Sequence, residues 1–211
     1  MSQANRKSSI PEATVPRLSQ YLRKLQEIQS RDVTTISSRQ LAKEVGTNPA
    51  QIRKDLSYFG EFGIRGVGYD VDRLISELKK CLGLWRSWNV IIIGAGKLGT
   101  ALALYRGFQK QGFNLIGMFD ADPGVVGRDR GAGPVMHVDG LEDFLKKNDV
   151  HIAIITTPAE PAQPLIDRVT RAGVPSVLNF APIRATTVEP AILRQVDLST
   201  ELMILSFHLD K

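Results

Sequence analysis

The string Val90-Ile-Ile-Ile-Gly94-Ala95-Gly96-Lys97-Leu98-Gly99 constrains the fold more than any other part of the chain. Four apolar residues that read as a strand run straight into G-x-G-x-x-G, and a helical stretch from Thr100 to about Gln111 follows. Each glycine has a task in such a turn. Gly94 makes the turn, Gly96 lets a pyrophosphate approach the backbone, and Gly99 permits close packing of helix on strand. The helix start then offers free N–H groups and a positive dipole end to phosphate. Three further apolar runs, NLIGMFD, HIAIITTP and PSVLNF, alternate with helical stretches. That βα order implies a parallel sheet with helices on both faces.

The ligand chemistry follows from the strand ends, because such sheets bind ligands outside the carboxyl ends of their strands. Asp120 closes the second strand, 21 residues beyond Gly99, where an acid binds adenosine ribose hydroxyls. It is followed by Ala121-Asp122-Pro123, so a 2′-phosphate would meet two carboxylates and no cation. NAD(H) is therefore expected over NADP(H). Ala95, Lys97 and Leu98 of the glycine loop, Thr156-Thr157-Pro158 and Asn179-Phe180 complete the expected cofactor contacts. The threonine hydroxyls and the Asn179 amide fit either the ribose and carboxamide or the caps of the following helices. A doubly wound domain that binds another nucleotide, or none, fits the same residues.

Hydride-transfer enzymes need a group poised to exchange a proton with substrate, and none stands out. His151 opens an apolar strand, His137 lies in a short β excursion, and His208 is three residues from the C-terminus. No nucleophile–base pair is evident, and no metal-ligand cluster. The chain is expected to turn over no small-molecule substrate.

The first part of the chain has a different texture. Residues 1–84 carry 14 Lys+Arg against 9 Asp+Glu, whereas residues 85–211 carry 13 of each. All the excess positive charge precedes the sheet, and a polyanion is the partner such charge fits. After a polar arm over residues 1–15, Leu18, Tyr21, Leu22, Leu25 and Ile28 keep helical spacing. Ser37-Ser38 caps a second helix that ends at Gly46, and Thr47-Asn48-Pro49 opens a third reaching about Phe59. Small Ala42 and the Gly46 turn make this a helix-turn-helix, with Ile52 and Leu56 packing back on Leu41 and Val45. Gln51, Arg53, Lys54, Ser57 and Tyr58 are then the expected DNA contacts, Arg and Lys for guanine edges or phosphates and Gln for adenine. The glycine-rich GEFGIRGVGY that follows reads as a short hairpin, or wing, presenting Arg65. A small helical packing domain with a solvated basic face fits the same string.

A chain of 211 residues accommodates both units. One cysteine, Cys81, rules out an intramolecular disulfide and a cysteine zinc site. No apolar run approaches the length a bilayer needs, and MSQANRKSSIPEA has no apolar core of a secretion signal, so a cytoplasmic protein without a membrane partner is expected.

QIRKDLSYFGEFGIRGVGY, GAGKLG, FDADP, TTP and NFAP together resemble the Rex family of redox-sensing transcriptional repressors, from about Pro16 to about Phe207. The resemblance implies a homodimer on palindromic operator DNA that is released when NADH binds, while NAD+ is a weak competitor or supports operator binding. It implies that a C-terminal helix, about Ser199 to Asp210, is exchanged onto the partner's nucleotide domain. Independently, ELMILSFHLD needs something outside its own sheet to bury Leu202, Leu205 and Phe207. The family's partner-switching Arg, Tyr and Asp match Arg23, Tyr105 and Asp197, while the aromatic that follows the Asp in some relatives is Leu198 here.

The expected architecture is thus α/β. A winged helix-turn-helix DNA-binding domain spans residues 1–84, a doubly wound Rossmann NAD(H)-binding domain residues 85–198, and a C-terminal dimerisation helix residues 199–211. Two other functions stay open on the residues alone: an NAD-dependent oxidoreductase with an accessory helical domain, and a DNA-binding protein indifferent to nucleotide.

Overall fold

The structure is a computed structural model that describes residues 10–58, 60, 63–64 and 66–209. The chain divides into two compact units, Met1–Arg86 and Ser87–Lys211.

The first unit is built on helix α1 (Val15–Gln29), whose Leu18, Tyr21, Leu22, Leu25 and Ile28 are all buried. Strand β1 (Thr35–Ile36) leads to α2 (Ser38–Val45), which opens on a capping box: Ser37 and Gln40 exchange side-chain-to-backbone hydrogen bonds. Gly46 ends α2 in the left-handed region at φ 70°, where a side chain would be strained. Helix α3 (Pro49–Ser57) starts with the Asn48 side chain accepting from the Gln51 N–H at 2.8 Å and with proline in its first turn. Leu41, Ala42, Ile52 and Leu56 join the α1 residues in one core. Each fully buried leucine or isoleucine there contributes about 1.5–3 kcal/mol. The expected hairpin is present as β2 (Gly63–Ile64) and β3 (Gly68–Asp70), paired antiparallel, and β3 also pairs with β1. Helix α4 (Val71–Cys81), capped by Asp70, closes the unit with Leu74, Ile75 and Leu78 buried.

Two expectations for this unit are corrected. The arm is not uniformly polar and exposed: Ile10 packs on the core, and Glu12–Thr14 form a 3-10 turn with Thr14 buried. The recognition helix stops at Ser57, and Phe59, expected as its end, lies outside the described residues, as do Arg65, residues 1–9 and Asp210.

The second unit is a parallel sheet of β4 (Trp88–Ile93), β5 (Phe113–Asp120), β6 (Met136–His137), β7 (Ile152–Ile155), β8 (Ser176–Asn179) and β9 (Ile192–Gln195) in the order β6-β5-β4-β7-β8-β9. The chain leaves β4 towards β5 on one side and returns to β7 on the other, so the switch point of the sheet lies at the carboxyl end of β4. Side chains alternate across the pleat. Ile91 and Ile93 face one core with Leu141, Ile166 and Val169 from α7 (Leu141–Lys147) and α8 (Ala159–Arg171). Val90 and Ile92 face the other, with Met118 and Ile154.

The single helix expected from Thr100 to Gln111 is instead two, α5 (Lys97–Ala103) and α6 (Arg106–Lys110). Tyr105 between them is extended, at φ −75° and ψ 99°, and its ring lies over Gly107, where any Cβ would collide with it. Strand β9 was not legible in the sequence. Helix α9 (Leu198–Leu209) has no buried residue. Its exposed Leu202, Met203, Ile204, Leu205 and Phe207 point to several sides of the helix, so more than the expected Leu202, Leu205 and Phe207 lack cover within the chain.

Candidate functional site

A crevice of about 690 Å³ opens at the switch point, lined by Gly94, Gly96, Asp120, Ala121, Val138, Thr156, Thr157, Pro158 and Arg168. Its floor is the glycine turn. Gly94 has φ +106°, and a Cβ there would sit 2.8 Å from the Thr156 carbonyl carbon. A Cβ at Gly99 would collide with the Gly94 carbonyl oxygen. At Gly96 a Cβ would meet nothing within 4 Å, so the space the missing side chain leaves is open to a ligand. Gly96, Lys97 and Leu98 are exposed around it, while Ala95 is buried.

Asp120 binds the turn to the neighbouring strand. Its Oδ2 accepts from the Ala95 N–H at 2.6 Å and its Oδ1 from the Asp122 N–H at 2.9 Å. A carboxylate offers about four acceptor positions, so two remain for ribose hydroxyls. The Thr156 hydroxyl donates to the Gly94 carbonyl at 2.7 Å, and thus braces the turn. Asn179 is fully buried, and its amide is engaged by Ala181 and Gln195. Of the two, Thr156 lines the crevice and Asn179 does not. Phe180 is half-buried beside them. Thr157 is the contrast: its Oγ1 is buried without a hydrogen-bond partner. A native hydroxyl so placed calls for a partner, and this one lines the crevice.

Arg168 was missed by the sequence reading. Its guanidinium grips Glu142 with two hydrogen bonds, 2.6 and 2.7 Å, and donates to the Val138 carbonyl, tying α8 to the segment after β6. The Arg168 hydrogen bond holds the Glu142 carboxyl down at about 2.

In the first unit, Arg53 and Lys54 are exposed on α3, and Arg53 donates to the Ser38 hydroxyl at 3.1 Å. Ser57 is exposed and Tyr58 half-buried at its end. A polar groove lined by Ser37, Ser38, Arg39, Asn48, Pro49, Ala50 and Arg53 joins the starts of α2 and α3. Arg39, which the sequence reading passed over, adds a second guanidinium to that groove. On the inner face of α3, Asp55 is 1% exposed and accepts from Arg17 Nε and Nη2, the Tyr21 hydroxyl and the Gln51 amide at 2.7 to 2.8 Å. Burial alone would raise its pKa, but those donors outweigh it and hold the carboxyl ionised below its ordinary range.

A basic helix-turn-helix unit and a dinucleotide crevice in one chain match one group of known proteins. The chain is 49% identical, over 97% of its length and 80% of the relative, to the redox-sensing transcriptional repressor Rex of Streptomyces coelicolor. The chain belongs to the Rex family. The Rex of Syntrophobacter fumaroxidans is 47% identical over 96% of this chain and 97% of that one. A family model described as "Putative DNA-binding protein N-terminus" matches residues 9–57, and one described as "CoA binding domain" matches residues 86–183. Among solved structures, RSP in complex with β-NAD+ and operator DNA superposes with a TM-score of 0.91 at 43% identity, covering 95% of this chain and 93% of that one. RSP with β-NADH gives 0.87 at 41% identity, covering 96% and 95%. The relatives carry the names of repressors, not enzymes.

The three residues expected from the resemblance to form a partner switch are divided between the two units. Arg23 is exposed on α1. Tyr105 is exposed at the α5–α6 break, with its ring edge-on to Phe108. Asp197 caps α9, accepting from the Ser199 N–H and the Thr200 hydroxyl, which lower its pKa, the Thr200 bond most. No hydrogen bond joins Tyr105 to Asp197 among the described residues.

Proposed function

We propose that this chain is a redox-sensing repressor that binds palindromic operator DNA through α3 and the wing and leaves it when NADH enters the crevice over β4. The observation that carries this reading is the Thr157 hydroxyl, buried and unpaired in a crevice that Asp120 also lines. Asp120 suits unmodified ribose hydroxyls and repels phosphate on them, which favours NAD(H) over NADP(H) and over coenzyme A, whose ribose carries a phosphate. Gly94, Ala95, Gly96, Lys97, Leu98 and Gly99 would hold the pyrophosphate, and Thr157, Pro158 and Phe180 the nicotinamide half. Arg53, Lys54, Gln51, Ser57, Tyr58 and Arg65 would touch DNA, and Arg23, Tyr105 and Asp197 would carry the coupling.

The working form is a homodimer. A helix that carries large apolar side chains on several sides needs them buried, and those of α9 are all exposed. An apolar cavity of about 290 Å³ opens on the sheet face formed by Val90, Ile92, Ile154, Leu178 and Ile192. The partner's α9 is suited to fill such a face. Two recognition helices then enter major grooves about one turn apart, or a multiple of it.

The sign of the response follows from charge. The oxidised nicotinamide is a cation and the reduced ring is neutral, so an apolar site disfavours NAD+ by its desolvation. NADH shifts the protein only by its differential affinity for the two states. A coupling of about 1–3 kcal/mol would change operator affinity about 5- to 150-fold, and operator would weaken NADH binding equally. No helix among the described residues is long and apolar enough to cross a membrane, and a cytoplasmic site of action suits a sensor of this ratio.

An anisotropy titration on a palindromic operator at fixed salt, with NADH and NAD+ in parallel, tests the reading. Release by NADH at much lower concentration than NAD+ is expected. Specific binding indifferent to both leaves a plain DNA-binding protein, and turnover of a carbonyl substrate without operator preference leaves an oxidoreductase.

A further inference from the structure

The buried carboxylate on the inner face of the recognition helix does more than hold two helices together. Asp55 is an acceptor only, since its ionised form has no proton to give. The amide atom of Gln51 that lies 2.8 Å from Asp55 Oδ1 is therefore the nitrogen, and the amide cannot be turned over without setting oxygen against oxygen. Asp55 is itself fixed, because Arg17 grips both its oxygens and Tyr21 donates to Oδ2. Gln51 stands in the first turn of α3, the part of a recognition helix that reaches base edges. With one N–H committed to Asp55, Oε1 and the second N–H remain, an acceptor beside a donor. That pair matches N6–H and N7 of adenine and mismatches guanine, which offers two acceptors.

We propose that Asp55, through its hydrogen bond to the Gln51 side chain, is a positioning residue that fixes the amide in one orientation and thereby sets adenine as the preferred base at one position of each half-site. Asp55 touches no DNA in this scheme. The inference rests on the operator-binding reading of α3 and adds to it the origin of one base preference.

The test is selection of the full-length protein on a duplex pool randomised across the half-sites, followed by sequencing of the bound fraction. Wild type must first enrich a palindrome, and failure to do so removes the operator-binding reading itself. Given enrichment, Gln51→Ala should flatten preference at one position per half-site by about 5- to 150-fold, the discrimination of a bidentate contact. Asp55→Asn, which allows the amide to turn over, should relax the same position while other positions keep their preferences. It should add nothing in the Gln51→Ala background. A uniform loss of affinity in Asp55→Asn with every preference retained would show only packing and overturn the proposal. So would an unchanged preference in Gln51→Ala. Because Asp55→Asn leaves Arg17 without its partner and could unfold the unit, the wild-type protein supplies a second measurement. The side-chain amide protons of Gln51, identified by their disappearance in Gln51→Ala, should include one slowed in exchange by the carboxylate. Equal, solvent-like exchange of both protons would overturn the proposal without any change at Asp55.

Discussion

Asp120 Oδ2 accepts the Ala95 N–H at 2.6 Å, so the acid that ends β5 also fixes the glycine turn that ends β4. One carboxylate thus shapes the phosphate site and faces the ribose. Asp120→Ala removes both roles. NADH affinity should fall at least tenfold, about 1.4 kcal/mol, and the protein should also lose about 1 kcal/mol of stability with the charge-assisted bond. Fluorescence titration of NADH and a melting curve read the two effects separately.

Thr157 gives a prediction in which the two effects have opposite signs. Its hydroxyl is buried and unpaired, so Thr157→Val should leave the ligand-free protein as stable or more stable, by up to about 1 kcal/mol. The same change removes a hydrogen bond to ligand and should weaken NADH by about 2- to 12-fold. A raised Tm with unchanged NADH affinity would remove Thr157 from the binding site.

The second and third glycines of the motif should separate function from folding. Gly96 has ordinary φ −69° at the helix cap and open space beside it, so Gly96→Ser should fold normally. Its side chain would occupy the crevice, and the protein should stay on operator at any NADH concentration. Gly99→Ala drives a Cβ into the Gly94 carbonyl and to 2.8 Å from Thr156 Oγ1, which should destabilise by about 1–3 kcal/mol. Release of the first variant by NADH as readily as wild type would take the glycine loop out of the mechanism.

The glycine motif, the four apolar runs and the cap residues at Ser37 and Asn48 made the sheet and the helix-turn-helix legible, because each is a local pattern with a local cause. What escaped is non-local. The α5–α6 break falls at Tyr105, inside a stretch whose local pattern reads as one continuous helix. Asn179 reads as a ligand-binding amide until Gln195, from an unrecognised strand, takes up its nitrogen. Asp55 reads as one more charge on a polar helix, and only the fold brings Arg17 and Tyr21, 38 and 34 residues away, onto it.

Acid should weaken the second unit through Glu142. Its folded pKa of about 2 lies below the ordinary 4.5, so the Arg168 pair contributes stability fully above about 4.5 and loses it as pH falls towards 2. Both side chains are about one-third exposed or more, so the contribution is at most about 1 kcal/mol after solvent screening. Arg168→Met should lower stability at neutral pH and flatten its dependence between pH 5 and about 2, as followed by urea melts. An unchanged acid slope would assign the loss to other carboxylates.

Arg53 is exposed on α3 and held towards Ser38, so Arg53→Ala should remove specific operator binding while NADH affinity stays at the wild-type value. If its contact is to phosphate, the slope of log affinity against log salt should fall by about 1. Helix α9 supplies the complementary variant, because Leu205 is 59% exposed within a single chain. Leu205→Glu should leave each unit folded and shift sedimentation towards monomer. It should weaken operator binding as well, since two half-sites held by one dimer gain from effective concentration and two separate chains do not. Loss of NADH binding in Arg53→Ala would refute the division of labour between the units, and a dimer that survives Leu205→Glu would move its interface away from α9.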